Sequence, residues 1–226
     1  MKLSESTLSI LKNFSSISPS IIINEGDVLK TMDVNKTVFA IAKLDEEFPG
    51  NACIYDVGRF LSVLSLYKEP EIEFHDEHFI IKDGRKKTKY TYAPRSMVTA
   101  LPTKDIALPS EEVVIELAWE DIENVVKACS RLGLTDIAFS GTGGKCYLEA
   151  IKVNRDNSDA SSDTFSIDLG VATTDEFMFI LRPERLKLIP QNYTVRISKA
   201  GISKFESEKV QYFIPGEKSS AFKKGN

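Results

Sequence analysis

The chain has 226 residues, of which 42% are hydrophobic and 27% are charged, values typical of a soluble globular protein. Its 33 Asp and Glu residues outnumber its 29 Lys and Arg residues, so the formal net charge is −4. This acidic balance excludes a domain that is held on nucleic acid by overall basic charge alone, and leaves only local basic patches for such contact.

The cysteines predict a reducing compartment. Cys53, Cys129 and Cys146 lie among apolar neighbours and share no metal-ligand spacing, which favours reduced core thiols in a cytosolic protein. The opening MKLSEST is followed by no apolar run, and no stretch approaches the ~20 apolar residues of a membrane span. We therefore expect a cytoplasmic, soluble protein with no membrane segment.

A short apolar strand that runs directly into a short amphipathic helix recurs four times. The copies are Lys2–Ser4 into Thr7–Phe14, Ala52–Tyr55 into Val57–Leu66, Val113–Ala118 into Ile122–Arg131, and Phe177–Leu181 into Arg182–Ile189. Further strand-like runs follow each copy. Such self-similarity predicts one supersecondary unit that is used repeatedly.

The remaining apolar runs predict strands separated by turns that contain Gly, Asn or Asp. In the first half these strands are Ser20–Asn24, Asp27–Asp33, Thr37–Lys43, Glu71–His75, Phe79–Asp83 and Lys86–Tyr92. In the second half they are Asp136–Ser140, Cys146–Val153, Thr164–Leu169, Tyr193–Ser198, Ile202–Glu206 and Val210–Ile214. The polar stretch Asn154–Asp163 is predicted to be a loop.

One boundary divides the chain. The segment from Ala93 to Pro109 contains Pro94, Pro102 and Pro109 and shows no sustained hydrophobic period, which is typical of an extended surface connector. We therefore predict an N-terminal domain at 1–93, a connector at 94–109 and a C-terminal domain at 110–226. Each domain contains two of the four units, and the fold class is α+β.

The predicted helices share one register. Each has apolar residues at i, i+3, i+4 and i+7, which predicts a buried stripe. These stripes are Thr7, Ile10, Leu11 and Phe14, then Val57, Phe60, Leu61 and Leu64, then Ile122, Val125, Val126 and Cys129. The opposite faces are small, polar or cationic, with Lys12, Arg59, Lys127 and Arg131, and the short fourth helix adds Arg182, Arg185 and Lys187.

Two motifs resemble catalytic or metal sites. His75-Asp76-Glu77-His78 has two imidazoles and two carboxylates within four residues, but a tight turn is expected to splay the histidines, and a zinc site would need a further ligand. Gly141–Lys145 resembles a phosphate loop, but it lies between strands and lacks the complete motif, so it predicts a hairpin. The basic hairpin Gly84–Lys89 is a candidate phosphate contact or a charged edge strand.

Two segments carry a family resemblance. The opening M-K-L-S…T…L-K-N-F at Met1–Phe14 and the run I-Y-D…F-L…L-S-L at Ile54–Leu66 resemble the DNA polymerase sliding clamps of T-even-type bacteriophages. The resemblance covers the whole chain in length and in the order of elements. It implies a clamp fold of two similar domains, each with two strand–helix–sheet repeats, whose antiparallel sheets lie outside and whose helices line a ring.

The resemblance also implies a function. Such clamps are homotrimers that encircle double-stranded DNA without reading its sequence, tether the phage DNA polymerase, and are loaded by an ATP-driven clamp loader. They do no chemistry themselves and need no cofactor. In this phage group the clamp also supports late transcription through RNA polymerase. The location implied is the cytoplasm of the infected bacterium, and the cations of the four helices are expected to face the DNA.

Ring closure and partner binding suggest further sites. The strands Lys86–Tyr92 and Thr164–Leu169 are candidates to pair across the subunit boundary. Their alternating aromatic and apolar residues would form the interface: Tyr90, Tyr92, Phe165, Ile167 and Leu169. The alternative is that both strands are internal to their sheets. A pocket for a partner peptide is expected near the connector, formed by Val98, Leu101, Phe213, Ile214 and Pro215.

Two other classes of protein remain open. One is a metal-dependent enzyme on an α+β scaffold that uses His75, Asp76 and His78. The other is a structural or assembly protein with repeated sheet domains and no role on DNA.

Overall fold

The computed structural model describes residues 1–102, 106–153 and 163–223. The chain divides into two compact units, of which the first comprises residues 1–105 with 209–211 and the second comprises 106–208 with 212–226. The predicted loop Asn154–Asp163 falls, except for its last residue, outside the described residues. In the described part, no helix is long and apolar enough to span a membrane.

The first unit contains two helices and two antiparallel sets of strands. Its elements are α1 (Glu5–Ile17), β1 (Ile21–Ile23), β2 (Gly26–Met32), β3 (Phe39–Phe48), β4 (Ala52–Ile54), α2 (Val57–Leu64), β5 (Glu71–Phe74), β6 (His78–Asp83) and β7 (Lys86–Thr91). Strands are hydrogen-bonded in the orders β4-β1-β2-β3 and β5-β6-β7. A single 3₁₀ turn, Arg95–Met97, follows.

The second unit repeats this plan with one α-helix. Its elements are β8 (Val113–Leu117), α3 (Trp119–Leu132), β9 (Asp136–Thr142), β10 (Lys145–Ile151), β11 (Phe165–Ala172), β12 (Glu176–Leu181), a 3₁₀ turn (Pro183–Arg185), β13 (Tyr193–Ser198), β14 (Ile202–Glu206), β15 (Val210–Pro215) and β16 (Ala221–Lys223). Strands follow the orders β11-β10-β9-β12-β16 and β15-β14-β13-β8. The α+β prediction is confirmed.

The helices begin and end where their flanking residues satisfy the exposed backbone groups. The Ser4 hydroxyl accepts from the Thr7 amide at the start of α1, and the Asp56 carboxylate accepts from the Arg59 amide at the start of α2. Helix α3 ends at Gly133, whose positive φ of 65° is the left-handed conformation that glycine adopts freely. These local signals explain why three helices could be predicted closely.

The buried stripes follow the predicted register except at three positions in α2 and α3. In α1 all four predicted positions are buried, and the Thr7 hydroxyl is satisfied by Glu46. Leu61 in α2 and Val126 in α3 are only half-buried, and Ala128 is buried in α3. Successive residues are ~100° apart around the helix, so the four positions of a stripe cover an arc of the helix surface. The side chain at the edge of this arc is the first to lose contact with the core.

One predicted element is wrong, and another is shorter than its predicted range. Lys2–Ser4 is not a regular strand, because only Met1 exchanges backbone hydrogen bonds with Ile72 and Ser4 turns to cap α1. The fourth helix, predicted within Arg182–Ile189 as about one turn opened by Pro183, is the 3₁₀ turn Pro183–Arg185. Pro183 favours the first helical position, but Pro190 follows too soon for a helix of stable length.

The hairpin at Gly141–Lys145 is confirmed. Thr142 pairs with Lys145 across Gly143 and Gly144, which both have positive φ. Gly141 has a separate role, because a Cβ atom there would lie 2.5 Å from the Phe177 ring. The glycines of this motif therefore serve the turn and close packing, and the motif does not open a helix as a phosphate loop must.

A carboxylate stabilises the start of β8. The Glu112 side chain accepts from the Lys199 amide at 2.8 Å and from Ser110 Oγ at 2.8 Å, and it lies 3.0 Å from Lys199 Nζ. The Lys199 amide foremost, with the Lys199 ammonium and the Ser110 hydroxyl, lowers the pKa of Glu112 to about 2. This side chain therefore links β8 to the turn after β13.

We predict that Glu112→Gln lowers the melting temperature at pH 7. Loss of charge-assisted bonds at this half-buried site costs about 1 kcal/mol, or roughly 2–4 °C for a chain of this size. Because the folded pKa lies below the ordinary value, this stability is present above about pH 4.5 and is lost as the pH falls towards about 2. Thermal melts of both proteins across this range measure the difference.

Glu116→Gln is the matched control, because Glu116 lies on β8 itself, is exposed and, among the described residues, accepts only from the Thr194 hydroxyl. It should change the melting temperature by much less at every pH. An equal loss in both variants, or a loss in Glu112→Gln that persists at pH 2, would contradict the role of the Glu112 charge.

Candidate functional site

The exposed faces of the three helices carry small, polar and cationic residues, with one exposed carboxylate each in the first turns of α1 (Glu5) and α3 (Glu120). Opposite the buried stripes, α1 exposes Ser9, Lys12 and Ser16, α2 exposes Arg59 and Ser62, and α3 exposes Asn124, Lys127 and Arg131. None of these residues is bulky and apolar. Each face could therefore approach a hydrated polyanion without burying apolar surface.

The helix cations differ in how they are paired. In the described part of the chain, Lys12, Arg59 and Arg131 form no ion pair, whereas Lys127 Nζ lies 3.1 Å from Glu123 one turn earlier. The Lys127–Glu123 pair is exposed on both sides, and such pairs contribute little stability. Lys12, Arg59 and Arg131 are therefore available to contact a partner molecule.

The two arginines near the 3₁₀ turn are engaged within the second unit. Arg182 Nη1 lies 3.7 Å from Asp136, which is fully buried, and Arg182 Nε lies 3.7 Å from Glu217. Arg185 lies 2.7 Å from Glu217 and donates to the Pro215 carbonyl. Lys187 is half-buried. These arginines tie the turn to β9 and to the segment after β15, so their charge is largely balanced.

Strand β7 is an edge strand of its sheet. Tyr90 packs against Phe60 with ring centroids 5.3 Å apart, and Tyr92 packs edge-on against Phe79 at 4.6 Å. Burial raises the pKa of both tyrosines. A cleft of about 320 Å³ lies beside them, lined by residues that include Tyr55, Asp56, Arg59 and Lys89.

Strand β11 is also an edge strand, at one end of the five-stranded sheet. Its apolar residues Phe165, Ile167 and Leu169 are half-buried and alternate with exposed residues. Asp168 is among the exposed ones; its carboxylate accepts from Lys145 Nζ at 2.6 Å and from the Gly170 amide at 2.9 Å, which together lower its pKa. The alternative that both candidate strands are internal does not hold.

The residues predicted for a partner-peptide pocket are mostly covered. Val98 is buried in the first unit, where the neighbouring Thr99 amide donates to Ser20 Oγ. Phe213 and Ile214 are buried in the second unit. Leu101 and Pro215 are half-buried, so they are the two predicted residues that a peptide could contact most readily. The pocket itself stays a prediction.

The histidine turn differs from its prediction. His75 and His78 are not splayed; their rings stack with centroids 4.8 Å apart and planes 7° apart. The short turn from β5 to β6, closed by the His75 amide donating to the His78 carbonyl, holds both rings on one side. Burial, then Lys89 and His75, lower the pKa of His78. No group of three candidate metal ligands occurs among residues 1–102, 106–153 and 163–223.

One concave site was missed by sequence reasoning. A cleft of about 270 Å³ in the second unit is lined by β9, β10, β12 and β16, including Ser140, Glu149, Phe177, Met178 and Lys223. It depends on β16, which pairs with β12 through only three residues. The segment that precedes β16 is rich in Lys and Ser, so its hydrophobic pattern carries no strand signal.

Comparisons with known proteins identify relatives along the chain. The family described as DNA polymerase processivity factor matches residues 2–99, and the family described as gp45 sliding clamp, C terminal, matches residues 114–218. The sliding clamp of Vibrio phage KVP40 is 36% identical over 96% of this chain and 99% of its own. That of Escherichia phage RB69 is 32% identical over 97% of this chain and 98% of its own.

Solved structures agree at the level of the fold. A. fulgidus PCNA, solved with the C-terminal region of FEN-1, superposes with a TM-score of 0.67 at 14% identity, covering 97% of this chain and 98% of its own. The DNA polymerase III subunit beta of Pseudomonas aeruginosa gives a TM-score of 0.66 at 12% identity, over 95% of this chain and 63% of its own. On its sequence relatives and its fold, the chain belongs to the sliding clamp family of DNA polymerase processivity factors.

Proposed function

We propose that this chain assembles into a homotrimeric ring that encircles double-stranded DNA independently of sequence and tethers the phage DNA polymerase for processive synthesis. The observation that carries the proposal is that three helices, each with its apolar stripe buried, expose Lys12, Arg59, Lys127 and Arg131 among mostly small and polar residues. Similarity to phage sliding clamps over nearly the whole chain supports it.

An acidic chain suits this function because retention on DNA would come from topology. Binding through many neutralised phosphates falls steeply with salt and would also oppose sliding. A closed ring needs only enough positive charge to guide the duplex. With a Debye length of about 8 Å at physiological salt, acidic groups elsewhere on the protein would be screened from the DNA.

Lys12, Arg59, Lys127 and Arg131 are the cations that we assign to the DNA-facing surface. All four are exposed on helices, and three of them form no ion pair in the described part of the chain. Arg182, Arg185 and Lys187 add to this surface in the proposal, but the carboxylates of Asp136 and Glu217 already offset the two arginines. Their contribution to guiding DNA should therefore be smaller.

Subunits would join through the edge strands β7 and β11. Tyr90 and Tyr92 lie on or directly after one edge, and Phe165, Ile167 and Leu169 lie on the other. Backbone hydrogen bonds contribute about 0.5–1.5 kcal/mol each, so a few of them with these side chains would give a stable interface that a loader can still open.

The proposal extends to the partners of the ring. An ATP-driven clamp loader would open and close it in the host cytoplasm, and late-transcription factors bound to RNA polymerase would use it as well. Partner peptides would bind near the connector at Val98, Leu101, Phe213, Ile214 and Pro215. The chain itself would do no chemistry and need no cofactor. The domains would be 1–93 and 110–226, joined by 94–109.

We predict that the protein, once loaded by its clamp loader with ATP on nicked circular DNA, stays bound through a wash at high salt. Linearising the DNA with a restriction enzyme should release it within minutes, because a ring slides off a free end. Gel filtration of labelled protein with the DNA measures retention. Equal retention on circular and linear DNA would contradict encirclement and indicate direct binding.

We predict that the triple variant Lys12→Ala, Lys127→Ala and Arg131→Ala is loaded about three- to tenfold more slowly at low salt, because fewer cations steer the duplex. The difference from the unmodified protein should shrink as salt rises. Its oligomeric mass and melting temperature should not change, since all three side chains are exposed.

The matched control removes the same charge from exposed lysines outside the helices, in the variant Lys43→Ala, Lys68→Ala and Lys152→Ala. It should load nearly as fast as the unmodified protein. Equal slowing in both triple variants would show that total charge matters and the helix faces do not.

A further inference from the structure

Both histidines of the chain lie at one turn. The sequence contains two histidines, and Asp76 and Glu77 separate them at the turn from β5 to β6. The His75 amide donates to the His78 carbonyl at 3.0 Å, and residues opposite each other across a hairpin carry their side chains on the same face. The two rings therefore stack, with centroids 4.8 Å apart and planes 7° apart. A proton that binds one ring must consequently affect the other.

The same turn fixes the end of β7. Thr91, the last residue of β7, lies opposite His78. The Tyr92 amide donates to the Glu77 carbonyl of the turn at 2.9 Å. On the other face of the sheet, the Tyr92 ring packs edge-on against buried Phe79 with centroids 4.6 Å apart. A change in the backbone of the turn would therefore reach the residues that end β7.

The charges nearest to His78 favour its neutral form. Burial, then Lys89 and then His75 lower the pKa of His78. The two carboxylates of the turn, Glu77 and Asp76, oppose this shift without reversing it. Positive charge on β7 and on the second ring therefore decides the protonation of His78.

The rest of this sheet face offers the histidines little compensation. Beside the rings, the face carries charged residues of all three strands: Glu71 and Glu73 on β5, Lys82 on β6, and Lys87 and Lys89 on β7. Glu73 is already bonded to Lys82. The half-buried His78 ring could leave its stack with His75 only by turning towards β7, where Lys89 lies on the same face.

The stack tolerates one proton but not two. Two neutral rings at this spacing attract each other as aromatic groups do, and a charged ring is also stable against a neutral one. Two charged rings 4.8 Å apart repel each other. Since the hairpin holds both side chains on one face, relief of this repulsion requires the turn itself to move.

We propose that the histidine turn, residues His75–His78, is a pH-sensitive switch that holds the end of β7 while the two rings carry at most one proton. Uptake of the second proton separates the rings, opens the turn and breaks the bond from the Tyr92 amide to the Glu77 carbonyl. The switch lies within one chain, so it requires neither self-association nor DNA.

The direction of the pH dependence follows from His78. Its pKa in the folded chain lies below the ordinary value of 6.5. The stabilisation that the closed turn contributes is therefore fully present above about pH 6.5, and is lost as the pH falls through the lower pKa of the folded chain.

Nuclear magnetic resonance of the full chain with isotope-labelled histidine tests the coupling of the rings. Because the sequence contains two histidines, every labelled signal belongs to this turn. We expect the pair to take up its protons in two steps separated by about one pH unit or more. A single common step for both rings would overturn the coupling.

Hydrogen exchange of the Tyr92 amide tests the opening of the turn. After correction for the intrinsic pH dependence of exchange, its protection should be at least about tenfold lower at about pH 5 than at about pH 7.5. The Phe179 amide, on β12 of the second unit, should keep its protection and serves as the reference. Protection of Tyr92 that does not change with pH would overturn the switch, even if the rings titrate in two steps.

His78→Gln removes the proton-binding group and keeps a polar side chain. In this variant, the protection of the Tyr92 amide should lose its dependence on pH. A pH dependence as large as that of the unmodified chain would show that another group opens the turn, and would overturn the role of His78. Circular dichroism should show the variant folded, because His78 is only half-buried.

Lys89→Gln and Lys87→Gln form a matched pair, because both lysines are exposed on the same face of β7 and only Lys89 acts on His78. Lys89→Gln should raise the pH at which the turn opens by about half a unit, and Lys87→Gln should raise it much less. Equal shifts in both variants would show that total charge, and not the surroundings of the stacked rings, determines the opening.

Discussion

The backbone of two edge strands is the constraint on which the account depends. Strands β7 and β11 each end a sheet and leave alternate N–H and C=O groups without a strand to bond. Proteins usually protect such edges with charge or cover them with another chain. Here one edge is cationic and the other carries a carboxylate, and each has an aromatic or apolar row on its opposite face. Such complementary edges favour assembly of identical copies.

Each helix packs its apolar face into the core and carries its basic residues on the opposite face. Their apolar stripes are buried within each unit, so their other faces are free to be small, polar and basic while the chain remains acidic. The arginines after β12 are paired with carboxylates, whereas Lys12, Arg59 and Arg131 form no ion pair in the described part of the chain. A protein that holds DNA by enclosure needs few contacts of this kind, because its retention does not come from phosphate binding.

Much of the fold could be predicted because local signals determine it. The Ser4 and Asp56 caps, the Gly133 stop and the glycine turn before Lys145 are encoded within a few residues of the elements that they bound. The exposed helix cations were likewise found from pattern alone, whereas the edge strands were expected from the family resemblance. The family resemblance in the first 66 residues is confirmed by relatives that span nearly the whole chain.

The remaining features depend on contacts that are distant in sequence. The 3₁₀ turn at Pro183–Arg185 owes its position to Asp136 and Glu217, and β16 forms only because β12 offers it an edge. The stacking of His75 on His78 is a property of turn geometry that composition does not reveal. Burial of Val98 and Ile214 similarly required the packed units. Such features place charges and clefts, so sequence reasoning predicted helices and strands better than the surroundings of individual residues.

The central claim is that identical copies associate through these edges into a closed trimer. Native mass spectrometry of the purified chain at micromolar concentration tests it most directly, since the subunit mass is 25.2 kDa. The account predicts a dominant species of three subunits, with no ladder of larger assemblies. A monomer at all concentrations, or an open-ended series of masses, would contradict it.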